Sequence, residues 1–86
     1  MFTTVKVSEE WRYSVGVDDD TGKHYVAIPV SNGLVEYCEF YEIDNAAFER
    51  CLRDMSAGAE FAERCRKREM DHLLLVRPGE RRGEPL

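Results

Sequence analysis

The stretch Val35-Glu36-Tyr37-Cys38-Glu39-Phe40-Tyr41-Glu42-Ile43-Asp44 sets the tightest limit on what this chain can fold into. Its aromatic and β-branched residues favour a strand, yet four carboxylates are threaded through it. A strand buried on both faces would have to desolvate those carboxylates at a cost of several kcal/mol each. The charges are therefore expected to face water, on a sheet that has one open face. Parity divides the stretch: Glu36 and Glu42 point one way, Tyr37, Glu39 and Tyr41 the other.

The residues before it continue the β pattern. Thr3, Val5 and Val7 alternate with Thr4 and Lys6, and Trp11, Tyr13, Val15 and Val17 alternate with Arg12, Ser14 and Gly16. Asp18-Asp19-Asp20-Thr21-Gly22 and Ser31-Asn32-Gly33 read as turns. Between them, His24, Val26, Ile28 and Val30 share a face. Pro29 lacks an N–H donor, which predicts that this strand lies at an edge or ends there.

The second half reads as helices. Asp44 or Asn45 supplies an N-cap, and Phe48, Cys51, Leu52 and Met55 form an apolar stripe. Ser56-Ala57-Gly58 breaks that helix, and Phe61, Ala62 and Cys65 form a second stripe. His72-Leu73-Leu74-Leu75-Val76 suits a last strand or a segment packed on the core. The fold expected is α+β: an antiparallel meander of three to four strands, then two amphipathic helices on one sheet face, with a short C-terminal strand as an option. Those helices would bury Trp11, Tyr13, Val15, Val26, Ile28, Phe48, Leu52 and Phe61 together. Residues 1–76 make the domain, and 77–86, rich in Pro, Gly and Arg, an extended tail.

With 86 residues, one small core is all that can be buried, which leaves little room for a deep cleft on a separate scaffold. The net charge of −5 is unevenly spread, with −6 in residues 1–45 and +1 in 46–86. A nucleic-acid binder usually shows the opposite, a basic stripe with interleaved aromatics, so direct RNA or DNA binding is not expected. No apolar run is long enough for a bilayer, and the N-terminus lacks the pattern of a signal peptide, so cytoplasmic residence is expected. Cys38, Cys51 and Cys65 are odd in number and lack C-x-x-C spacing, which suits free thiols.

Candidate chemistry is thin. Asp18, Asp19 and Asp20 form only a fragment of a calcium loop, with no closing Glu, and read as a solvated hairpin turn. The Cys and His residues show no paired zinc spacing. Asp71-His72 are sequence neighbours that rarely form a dyad. Arg64, Arg66, Lys67 and Arg68 are interleaved with acids and read as a salt-bridged helix face. Glu36, Glu39 and Glu42 lack an apolar setting that would raise one carboxyl's pKa selectively. No catalytic, metal or cofactor site is expected. The better reading of Glu36, Tyr37, Glu39, Tyr41 and Glu42, with Asp18, Asp19 and Asp20, is a partner-binding surface. Tyrosine supplies contact area and a hydroxyl, and carboxylates steer a basic partner.

The order of features resembles the small bacterial immunity proteins encoded beside polymorphic toxins, including those of contact-dependent growth inhibition systems. The residues that carry the likeness are Ile28-Pro29-Val30-Ser31-Asn32-Gly33-Leu34-Val35-Glu36-Tyr37, then Tyr41-Glu42-Ile43 leading into two helices, Phe61-Ala62-Glu63-Arg64-Cys65-Arg66 and Arg77-Pro78-Gly79. The resemblance implies a non-catalytic protein, monomer or homodimer, that neutralises a cognate toxin by direct contact. Nuclease toxins with basic clefts are natural targets for an acidic antidote. The competing reading is a homodimeric regulatory or ligand-sensing subunit.

Overall fold

Two acidic or amide side chains shape the turns that order the sheet. In the computed structural model, which covers residues 1–86, the Asp18 carboxylate accepts from the Asp20 amide (3.1 Å) and the Thr21 hydroxyl (3.0 Å), and Gly22 takes φ 77°. Asn32 Oδ1 accepts from the Leu34 and Val35 amides, both at 2.9 Å, and Gly33 takes φ 88°. The strands β1 (Phe2–Ser8), β2 (Tyr13–Asp18), β3 (His24–Ser31) and β4 (Glu36–Ile43) form an antiparallel meander, β1-β2-β3-β4, in which these Asx-type turns make the last two connections and the Ser8 hydroxyl, accepting from the Trp11 amide at 3.0 Å, shapes the first. The register shifts between Thr4 and Lys6, so Val5 is the extra residue of a bulge in β1.

Asp44 caps α1 (Asn45–Arg53), accepting from the Ala47 amide at 2.7 Å. Asp54 then caps a single 3-10 turn, Met55–Gly58, which leads into α2 (Ala59–Arg66). The helices lie on one sheet face. Tyr13, Val15, Val26, Ile28, Val30 and Tyr41 from the sheet meet Phe48, Cys51, Ala62 and Cys65 from the helices. The expected α+β architecture is what forms, and no helix is long and apolar enough to cross a membrane.

Trp11 departs from the expected core and is 39% exposed. It sits in the turn before β2, where Arg12 takes φ 56°, so the alternation that includes it belongs to a strand only from Tyr13 onward. The Arg66 guanidinium donates to the Trp11 carbonyl (2.8 Å) and to that of Arg12, tying this turn to α2.

Pro29 is also placed differently: β3 is a central strand and continues past it to Ser31. The Leu86 amide donates to Pro29 O at 3.1 Å, so the side of Pro29 that lacks an N–H faces the gap left where β2 ends. That gap is filled by β5 (Glu84–Pro85), which pairs with Val30 and Ser31 in the line vacated by β2. The missing donor thus leaves the ladder to β4 intact and forfeits only the return bond to Leu86. The end of residues 77–86 is therefore part of the sheet, reached through a turn at 80–81. The segment around His72–Val76 becomes a 3-10 turn, Asp71–Leu73, followed by a bridge from Leu74 to Tyr41 and a bond from the Leu75 amide to Phe40 O (2.8 Å).

Candidate partner-binding surface

β4 carries its two sets of side chains to two different environments. Tyr37, Glu39 and Tyr41 turn toward the helices. Glu39 is 5% exposed and Tyr41 is fully buried, while half-buried Tyr37 packs on the core. These three were expected at a binding surface, and burial removes Glu39 and Tyr41 from it. Glu39 is buried because two arginines come to it. Arg82 Nε donates to Oε2 at 2.7 Å, Arg68 donates to Oε1, and the Tyr41 hydroxyl donates to Oε1 at 2.9 Å. Arg82 also grips both oxygens of Asp71 at 2.7 and 2.9 Å. The Tyr37 hydroxyl accepts from the Gly83 amide at 2.6 Å.

This cluster sets its own charges. Burial alone would raise the Glu39 pKa, but hydrogen bonds from Arg82 and Tyr41 and the charges of Arg68 and Arg82 hold it below the usual carboxylate value. Asp71 is lowered by its bonds to Arg82. Tyr41 is raised by burial and by the adjacent Glu39 carboxylate. Two arginines and two carboxylates satisfied in this way make a structural clamp. Sequence reasoning missed Arg68 and Arg82, because nothing local pairs either of them with Glu39.

Glu36 and Glu42 lie on the opposite face, which no helix covers. Here Tyr25 is buried over Gly16, flanked by Phe40 (edge-on, centroids 4.9 Å apart) and Phe2 (edge-on, 5.5 Å), and Phe2 stacks on Phe40 at 4.0 Å. The parity of Phe40 with Glu42 was the available signal for this aromatic group. Beside it a shallow hollow of about 430 Å³ is lined by Thr4, Val7, Ser14, Ala27, Pro29 and Cys38. The open face is thus apolar at its middle and acidic at its rim. Glu36 is exposed, and Glu42 lies 3.6 Å from Lys23 Nζ, an exposed pair of small energetic weight.

Asp18, Asp19 and Asp20 stand at one end of this sheet. Asp18 is half-buried and used in the turn, Asp19 accepts from the Thr3 hydroxyl, and Asp20 lies 2.6 Å from the Met1 ammonium. Asp19 and Asp20 remain exposed. Cys51 and Cys65 are buried core residues, and burial pushes the Cys65 thiol up to about 12. Cys38 lies exposed on the open face. No group of three or more His, Cys, Asp or Glu side chains is arranged to hold a metal ion. No protein-family model, no curated protein and no solved structure matches this chain.

Proposed function

We propose that this protein is a non-catalytic inhibitor of the immunity-protein type, which neutralises a cognate toxin by seating a basic surface of it on the open sheet face. The observation that carries this reading is the uncovered face itself: aromatic and aliphatic side chains at its middle, Glu36, Glu42, Asp19 and Asp20 at its rim. Such an apolar centre with a charged border is the anatomy of a recognition surface. The strongly engaged carboxylates, Glu39 and Asp71, are clamped by arginine and are poorly placed to move protons.

The test is co-expression with a toxin domain encoded beside the gene. Cells making both proteins should grow, and the purified pair should form a stoichiometric complex. In the double variant Glu36→Lys, Glu42→Lys, association should slow about tenfold at low ionic strength and less at high salt, with the fold unchanged. Growth arrest despite co-expression, or an association rate indifferent to the double charge reversal, would remove this reading.

A further inference from the structure

The chain covers its strand edges selectively. The outer edge of β4 is bridged by Leu74 and Leu75, and the local edge of β3 beyond Pro29 is filled by β5. The outer edge of β1 is left bare, and Thr3 to Val7 are all exposed. The Asp19 amide donates to Met1 O and the Asp18 amide to Lys23 O, so alternate residues of β2 face β1 and β3. It follows from the register that the backbone groups of Thr4 and Val7 point away from β2. Free edges are commonly guarded by charge or proline. Here the only charged residue of the strand, Lys6, is drawn under the sheet, where its Nζ donates to Leu52 O at 2.9 Å. Val5 and Val7 remain on the edge, 51% and 63% exposed.

We infer that β1 accepts an extended segment of a partner protein as an added strand, and that this segment carries basic residues at both ends. A strand is the occupant that matches a row of outward N–H and C=O groups. Charge selects which strand. Exposed Glu9 and Glu10 follow the C-terminal end of β1, while Asp18, Asp19 and Asp20 flank its N-terminal end and outnumber the single Met1 ammonium there. A second copy of this chain, paired in either direction, would bring acid against acid at both ends. A segment with flanking Lys or Arg meets opposite charge at both. The inference rests on the reading above only in that the partner is a protein.

The probe is a capped peptide of alternating threonine and valine with two arginines at each end. Added to the full-length protein, it should slow hydrogen exchange at the Thr4 and Val7 amides. It should bind at least about tenfold more tightly than its glutamate-ended counterpart at low salt. Methylating the peptide's amide nitrogens on one edge should abolish binding without any change to the protein. Val7→Pro should do the same, and Val7→Thr should not. Equal binding of both peptides, protection confined to residues outside β1, no binding at millimolar peptide, or a homodimer that protects β1 unaided would each overturn the inference. Its failure separates from that of the function. If the peptide leaves β1 unprotected while the toxin is still neutralised, strand addition is wrong and neutralisation stands. If the peptide binds β1 but no toxin is neutralised, the reverse holds.

Discussion

Glu39 shows how one residue can be misread when its partners are far away in the chain. Parity alone separates it from Glu36 and Glu42, and that separation holds in the structure. Which set goes under the helices is not legible locally, because the groups that make burial tolerable are Arg68, 29 residues on, and Arg82, 43 residues on. Arg68 also occupies a left-handed backbone position, φ 63°, just past α2, a place that glycine usually fills. Its ion pair with Glu39 offsets that strain, which is of order 1–2 kcal/mol. Removing Arg82 leaves buried Glu39 with Arg68 as its one remaining cation, so Arg82→Ala is expected to cost about 1–3 kcal/mol, read from urea unfolding. Glu39 and Asp71 both have folded pKa values below their unfolded ones. Their contribution is therefore complete above the ordinary carboxylate range, near pH 4, and is lost as pH falls through the lowered values. Stability measured against pH should decline on the acid side in the parent and decline less in Arg82→Ala.

At the scale of elements, turn and cap chemistry was the most legible part. Asp44 as N-cap, Gly22 and Gly33 at positive φ and the break at Ser56–Gly58 all follow from local rules. Pro29 and Trp11 were misplaced because both sit where β2 stops, a boundary decided by Arg66 reaching over from α2. The middle of the open face also depends on a cross-strand pair. Gly16 stands opposite Tyr25, and a Cβ there would run into the tyrosine ring and the Thr3 carbonyl. Gly16→Ala should destabilise by about 1–3 kcal/mol through overpacking, seen as a lower midpoint of thermal unfolding. The Tyr25 hydroxyl is buried with no hydrogen-bond partner. Tyr25→Phe should therefore be neutral or stabilising by up to about 1 kcal/mol in the same measurement.

For the whole molecule, the uneven charge of the two halves gains a physical meaning. Several cations of the second half are spent inward: Arg66 on the first turn, Arg68 and Arg82 on Glu39. The carboxylates of the first half, Glu39 apart, stay largely at the surface, so the molecule presents an acidic exterior suited to steering a basic partner. The tail that reads from the sequence as extended is bound at three points, by Arg82, by the Gly83 amide and by the Leu86 amide. Its anchoring has a consequence for how the molecule breathes. Chain ends ordinarily fray alone, at almost no free-energy cost. Here, peeling away the last residues would strand the Glu39 carboxylate beneath the helices with half its countercharge gone. The Gly83 and Leu86 amides should therefore exchange their hydrogens nearly as slowly as those of β3, opening only when the core opens with them.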